Sequence, residues 1–200
     1  TVVEDCIFIG KASGGGAWTD TTSTDNIGIG SGTLAGALDG ALKNIAIGTD
    51  AGNDVTTGDE NIFIGYKAGD STTTGTNNVC VGSEAGQALN HPDSNGSTFI
   101  GYAAGNATTE GEKNVFIGYA AGLENTIGDQ NIAIGHRAMD DTLGGLQNDD
   151  NIAIGVGSMG GTWVAAASTK NVAIGTDTMA GAMNGVGHTV AIGYTAGAAL

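Results

Sequence analysis

Aliphatic and polar positions alternate in a short motif that recurs along the whole chain. Each copy has a β-branched residue, a small or aromatic residue, a second β-branched residue and then glycine, as in IFIG at residues 62–65. A spacing of 17 to 20 residues between copies is too short for a helix pair and is typical of a β-solenoid, in which each copy forms one coil. With the glycine as position 0, coils 1 to 11 are marked by Gly10, Gly30, Gly48, Gly65, Gly82, Gly101, Gly118, Gly135, Gly155, Gly175 and Gly193.

Positions −3 and −1 are β-branched in every copy and predict the inner wall of the coil. Residues two apart on a strand share a face, so both columns point to the same side. Burying each aliphatic side chain fully is worth roughly 1.5 to 3 kcal/mol, which can support a narrow core. At position −1 the predicted solenoid core consists of Ile9, Ile29, Ile47, Ile64, Val81, Ile100, Ile117, Ile134, Ile154, Ile174 and Ile192.

Position −2 points to the opposite face, yet it is apolar or glycine in all eleven copies and holds every phenylalanine. A strand position that faces solvent would carry polar residues. Either the chain's own loops or other chains must cover this face, and we favour a seam between identical chains. The predicted seam residues are Phe8, Ala46, Phe63, Phe99, Phe116, Ala133, Ala153, Ala173 and Ala191.

Two further columns predict contacts between neighbouring coils. Position −4 is asparagine in eight copies, which suits a corner and allows an amide ladder along the stack. Position +1 holds all four tyrosines, and we expect Tyr102 and Tyr119 to stack because they lie in adjacent coils. The sequence leaves open whether this column faces solvent or a neighbouring chain.

Charge and cysteine spacing restrict the partners. A net charge of −15 with only six Lys and Arg argues against nucleic acid and anionic membranes, and no apolar run approaches the ~20 residues of a membrane span. Cys6 and Cys80 lie four coils apart, or ~19 Å at the ~4.8 Å spacing of strands. That exceeds the ~7 Å limit for a disulfide, so we expect two free thiols.

Catalytic and metal-binding patterns are weak. His91, His136 and His188 are scattered over three coils without partners at metal-ligand spacing, so we expect surface histidines, no resident metal, no cofactor and no enzymatic activity. Acidic turns such as 56–61 and 126–131 are interpreted as solvated, since calcium needs six to eight oxygen ligands. Trp18 and Trp163 lie in longer loops, where an indole can stack on sugars or, as we favour, pack against the solenoid or a neighbouring chain.

The repeat resembles those of two families of fibrous proteins. NIAIG at 44–48, 131–135 and 151–155 and NVAIG at 171–175 resemble the head repeats of trimeric autotransporter adhesins. The spacer pattern A-G-x-x-T-T-x-G-x-x-N is similar to repeats of phage tail fibres and related virion appendages. This resemblance covers essentially the whole chain and implies a left-handed parallel β-roll that assembles as a homotrimer. The hexapeptide acyltransferase pattern fails, because Asp70 and Thr76 occupy the slots where it requires aliphatic residues.

We therefore expect an all-β chain with a single β-solenoid domain over residues 1–200, belonging to a longer fibre. The expected function is structural and adhesive: a phage tail fibre or other virion appendage, joined to further fibre subunits, that presents loops to a host surface glycan or protein. The alternative is a segment of a bacterial trimeric adhesin at the cell surface. A β-solenoid enzyme acting on glycans is a weaker alternative.

Overall fold

The fold is a parallel β-solenoid that a computed structural model describes for residues 3–17, 22–142, 145–163 and 166–198. A short pair, β1 (Val3–Glu4) and β3 (Ser23–Thr24), lies beside an eleven-stranded parallel sheet. The strands of this sheet stack in the order in which they occur along the chain. They are β2 (Ile7–Ile9), β4 (Ile27–Ile29), β5 (Ile45–Ile47), β6 (Ile62–Ile64), β7 (Val79–Val81), β8 (Thr98–Ile100), β9 (Val115–Ile117), β10 (Ile132–Ile134), β11 (Ile152–Ile154), β12 (Val172–Ile174) and β13 (Val190–Ile192).

The register of the sheet confirms the coil boundaries predicted from the repeat. Each strand pairs with the next so that equal positions of the motif are neighbours, as for Phe99 and Phe116 at position −2 of β8 and β9. The same register holds where the spacing is 20 residues, since Ile132 pairs with Ile152. The extra residues of long copies are therefore accommodated in the turns and do not shift the strands.

The side of the strand that faces the core is the reverse of the one predicted from the sequence. The position −2 side chains, assigned above to a seam between chains, lie inside the coil of their own chain: Ala46, Phe63, Phe99, Phe116, Ala133, Ala153 and Ala173 have no exposed surface, Ala191 is buried and Phe8 packs against the core. The position −1 side chains, assigned above to the core, lie on the outside. They are exposed (Ile9, Ile29, Ile47, Ile64, Ile100, Ile174 and Ile192) or half-buried (Val81, Ile117, Ile134 and Ile154).

The asparagine column supplies the physical reason for this orientation. Positions −4 and −2 share a face because alternate residues of an extended segment do so. The asparagines at −4 are buried, and each amide donates to a carbonyl across the coil, as Asn61 Nδ2 does to Gly75 O at 2.8 Å. A strand whose asparagine must reach the interior therefore also directs position −2 inward, and it leaves −3 and −1 outside.

Volumes at positions −2 and +4 are complementary, which is how a narrow coil holds phenylalanine. Phe63 lies opposite Gly69, where an added Cβ would be 2.3 Å from the ring. Three of the five coils with alanine at −2 instead carry methionine at +4, and in the first of them Ala133 is matched by the buried Met139. The same exchange occurs in the two coils that follow, with Met159 and Met179.

The predicted asparagine ladder is confirmed and runs in one direction along the stack. From coil 3 onward, the backbone N–H at position −4 donates to the side-chain oxygen at −4 of the preceding coil, as Asn78 N does to Asn61 Oδ1 at 2.9 Å. Ser97 continues the ladder in coil 6, where its hydroxyl accepts from Asn114 N at 3.2 Å. The ladder therefore provides acceptors for buried backbone N–H groups that lie just outside the three-residue strands.

Replacing one ladder asparagine is expected to destabilise the solenoid clearly. Asn61→Ala leaves the Asn78 N–H and the Gly75 carbonyl buried without their partners, at about 1–3 kcal/mol for each group. We expect the free energy of unfolding in urea to fall by about 2–6 kcal/mol. Asn184→Ala is the matched control, because Asn184 is exposed in a turn and should change stability by less than about 0.5 kcal/mol. Equal effects of the two substitutions would contradict this role of the ladder.

Candidate functional site

The outer face of the sheet is an extended apolar surface, formed by positions −3 and −1 of the eleven strands. We call this surface the aliphatic ribbon. All but one of its residues are Ile or Val, the exception being Thr98, and none is charged. The central members Ile47, Ile64 and Ile100 keep 37%, 36% and 39% of their surface exposed, although each is flanked by neighbours in the same column. At the last strand, Val190 and Ile192 are about two-thirds exposed.

The dimensions of the aliphatic ribbon follow from the sheet. Ten steps of ~4.8 Å between eleven strands give a length of about 48 Å, and the two columns are about 7 Å apart. Single exposed aliphatic residues are ordinary, but contiguous apolar patches above a few hundred Å² mark sites of association. A continuous ribbon of this length therefore has the size and composition typical of an association site.

A ladder of aromatic rings lies just beyond the ribbon, after the bend at each coil glycine. The rings of Tyr102 and Tyr119 stack with centroids 5.1 Å apart and planes 20° apart, which confirms the predicted contact. His136 extends the ladder, with its ring 5.1 Å from Tyr119 and planes 10° apart. About half of each tyrosine is exposed, so within one chain this column faces solvent.

Beside the tyrosine ladder lies a groove of about 280 Å³ that spans coils 5 to 8. Its floor is formed by Ala103 and Ala120, and its two walls by Tyr102 with Tyr119 and by Asn106 with Leu123. Glu84 lies at one end and Arg137 at the other. We call this feature the tyrosine groove.

The two ends of the tyrosine groove carry opposite charges. Arg137 Nε donates to Asp140 Oδ2, and this hydrogen bond, with the charge of Asp140, raises the pKa of Arg137. The Arg137 side chain is 60% exposed while Asp140 is buried, so the guanidinium is anchored at Nε and remains accessible to solvent. At the other end, the N–H of Glu84 donates to Tyr66 O at 2.8 Å and fixes the backbone from which its carboxylate extends.

The turn edge of the solenoid concentrates negative charge. A hollow of about 360 Å³ is lined by acidic side chains of successive coils, including Asp93, Glu110, Glu112 and Asp129. Burial raises the pKa of Asp129, and the carboxylates of Asp149 and Glu112 add to this shift, whereas the hydrogen bond from the Glu112 N–H opposes it. Among the residues that the structure describes, no group of three or more His, Cys, Asp or Glu side chains could hold a metal ion.

Of the two tryptophans proposed above as weak binding candidates, Trp163 is not supported by the structure. Trp163 has no exposed surface, and its Nε1 donates to Met159 O at 3.1 Å, so the indole fills the core and cannot stack on a ligand. Trp18 lies outside the described residues.

The histidines and cysteines follow the sequence predictions. His91, His136 and His188 all lie at the surface, in three different coils. Cys6 and Cys80 are free thiols, as expected. Burial raises the pKa of the Cys80 thiol well above its ordinary value, so it behaves as an inert core residue.

The tyrosine groove was missed at the level of sequence, although a signal for it exists. GYAAG occurs at 101–105 and again at 118–122, whereas coil 4 has GYKAG and coil 8 has GHRAM. Only two adjacent coils therefore combine tyrosine at +1 with alanine at +2. The long side chains Glu84 and Arg137 at +2 of the flanking coils close the two ends of the groove.

The fold and its surfaces define the chain as a parallel β-solenoid repeat protein. No protein family, curated protein or solved structure matches it at a significant level. In the described ranges, none of the secondary-structure elements is a helix of the length and hydropathy needed to cross a bilayer.

Proposed function

We propose that this chain is a structural and adhesive fibre segment that assembles as a homotrimer through its aliphatic ribbon. In this proposal it forms the shaft or head of a phage tail fibre or other virion appendage, attached to further fibre subunits. Its surface loops and grooves contact a host surface glycan or protein. The role is mechanical and adhesive and requires no catalysis.

The observation that carries the proposal is the uncharged aliphatic ribbon along the entire stack. Its exposed isoleucines would be costly to keep in water, and association with identical ribbons removes them from it. A partner whose strands are also ~4.8 Å apart can contact each strand of the ribbon in turn. A second copy of this chain has this spacing. The chain's many acidic residues lie outside the ribbon, so they do not oppose this contact.

The number of chains and the biological setting rest on the resemblance of the repeats. Repeats of the N-[IV]-[AF]-[IV]-G type favour a trimer and a left-handed coil, and the spacers favour a virion appendage over a cell-surface protein. The alternative, a passenger segment of a bacterial trimeric adhesin, is supported by the same NIAIG and NVAIG copies. In that case the flanking sequence would contain an outer-membrane anchor instead of a virion-binding domain.

The mass of the particle in solution tests the proposal. Sedimentation velocity combined with light scattering is expected to give three times the 19.6 kDa of one chain, without a concentration-dependent monomer at micromolar protein. Electron microscopy should show rods at least about 48 Å long. A stable monomer would overturn the proposal, and a dimer would retain the interface but contradict the trimer.

A further inference from the structure

We propose that the tyrosine groove binds a short stretch of glycan lying along the axis of the solenoid. This assignment rests on the proposed adhesive function and deepens it, because it gives a place and a ligand class to host contact. The groove lies on a face separate from the strands that form the aliphatic ribbon, since the chain bends at Gly101 and Gly118 before reaching the tyrosines. Assembly through the ribbon and ligand binding in the groove can therefore be tested independently.

The shape of the groove suits a small, elongated ligand. Glu84 and Arg137 stand three coils apart, which corresponds to about 14 Å along the axis. A volume of about 280 Å³ is close to the lower end of the range typical of small-molecule sites and is far too small for a docked helix. Among coils 5 to 8, position +2 is small only at Ala103 and Ala120 and is occupied by the longer Glu84 and Arg137 on either side, so the groove has two defined ends.

The chemistry of the lining matches a ring that has both apolar C–H groups and hydroxyls. Ser83 occupies position +1 of coil 5, so among the described residues the Tyr102 ring stacks on Tyr119 alone, and 46% of the Tyr102 surface is exposed. Tyrosine has an apolar ring with a polar hydroxyl group, which suits ligands that have an apolar face and a hydrated polar face. The Glu84 carboxylate accepts hydrogen bonds at this end of the groove, and the terminal nitrogens of Arg137 donate them at the other.

The remaining wall adds one further polar group in a fixed position. Asn106 Nδ2 donates to Glu84 O at 3.2 Å and to Gln87 Oε1 at 3.1 Å. These two bonds orient the amide so that its Oδ1 remains as an acceptor. The groove therefore presents preorganised acceptors and donors around an aromatic wall, which is the composition expected of a site for polyhydroxylated ligands.

An extended peptide fits the groove less well, because the backbone of the floor is already used. The Ala103 N–H donates to Ser83 O at 2.9 Å, and the Ala120 N–H donates to Tyr102 O at 2.9 Å. Strand addition relies on free main-chain groups at a sheet edge, and these N–H groups lie within the stack of coils. Recognition in the groove must therefore come from side chains, which favours hydroxyl-bearing ligands.

The experiment uses cellotriose, maltotriose and triacetylchitotriose as probes in saturation-transfer NMR with the full chain. At least one probe is expected to receive saturation from the protein. Ala103→Lys converts the GYAAG of coil 6 into the GYKAG that coil 4 already accommodates, so it fills the floor with a side chain that the fold tolerates at this position. Both Ala103→Lys and Tyr102→Ala should weaken binding of that probe by about tenfold or more.

Two matched variants separate the groove from general effects of charge or of losing a tyrosine. Ala12→Lys places the same side chain at position +2 of coil 1, and Tyr194→Ala removes an exposed tyrosine of coil 11. Both should leave affinity within about twofold of the original. The assignment is overturned if none of the three trisaccharides receives saturation, or if binding survives Ala103→Lys. Binding of a capped glycine–serine tripeptide with the same dependence on Ala103 would overturn it in favour of a protein ligand.

Light scattering on the same samples distinguishes failure of the groove from failure of the fibre proposal. A trimer that binds none of the probes overturns the glycan site alone. A monomer overturns the fibre, whatever the probes show.

Discussion

Gly101→Ala is expected to destabilise the solenoid by about 4 kcal/mol or more, enough to prevent folding of a marginal chain. Gly101 has φ of +132°, a region that is essentially restricted to glycine. An added Cβ would lie 2.4 Å from Gly118 O and 2.7 Å from Gly118 C, and neither backbone atom can move aside. The spacing of the two coils is fixed there, because the Gly118 N–H donates to Ile100 O at 2.8 Å. Circular dichroism during urea unfolding measures the loss.

Gly96→Ala separates the cost of a positive φ from the cost of a close contact between coils. Gly96 also has a positive φ, +68°, but the nearest atom to an added Cβ is Lys113 Cγ at 3.8 Å. Other coils carry non-glycine residues at the same position, such as Lys43 and Glu60, with nearly the same φ. We expect a cost of about 1 kcal/mol, from the left-handed backbone alone. Losses of equal size at Gly96 and Gly101 would show that close approach of the coils is not what requires glycine at position 0.

The double variant Ile64→Lys with Ile100→Lys is expected to convert the proposed trimer into monomers that remain folded. Both side chains lie near the middle of the aliphatic ribbon and are more than a third exposed in the single chain, so lysine can reach water there. In a trimer the same positions are buried against partners, and several unpaired ammonium groups would have to be desolvated together. Sedimentation velocity should show the mass falling to that of one chain, with the circular dichroism spectrum retained.

Thr57→Lys with Ala182→Lys is the matched control for the ribbon. Both residues are exposed in turns, away from the strands, and the change in net charge is the same. This variant should keep the mass of the unmodified protein. Persistence of the trimer in the ribbon variant would place the interface elsewhere, and dissociation of both variants would mean that added charge alone disrupts assembly.

The sequence predicted the order and register of the coils, but it did not predict which face of each strand is buried. Coil boundaries, parallel pairing, the asparagine ladder and the Tyr102–Tyr119 stack all follow from the spacing of the repeat, because equal positions of successive coils must be neighbours. The orientation of the strand does not follow from hydrophobicity, since Ile62, Phe63 and Ile64 are all apolar and either face could be buried. The deciding information lies in position −4, whose amide side chain requires the interior, and in the match of large with small at −2 and +4.

One coil shows why even that match is hard to read from the sequence. Ala46 is small, yet its +4 partner Gly52 is small as well. The space is filled from the next coil, because an added Cβ at Gly52 would be 2.7 Å from Phe63 Cδ2, and from the preceding coil, through Leu34 at 3.2 Å. Packing between coils depends on the three-dimensional register, so a comparison within one copy of the repeat does not find it.

The residues of the candidate site were also difficult to predict from the sequence alone. Trp163 stands out in a loop of small and polar residues, but a large apolar side chain next to a narrow core gains more by filling it than by facing water. The tyrosine groove is built from residues of four coils, none of which is unusual by itself. Its sequence signal is the repetition of GYAAG, which acquires meaning only once the two copies are known to be adjacent.

The hydrogen bonds between coils have a mechanical consequence. Around each coil some of them point backward along the axis and others forward, as Gly118 N donates to Ile100 O in the preceding coil while Gly105 N donates to Ala121 O in the following one. A pulling force applied along the axis would load all the bonds at one coil boundary at once, so that they would have to break together and not one after another. A filament built in this way would distribute axial tension over all the hydrogen bonds of a coil boundary.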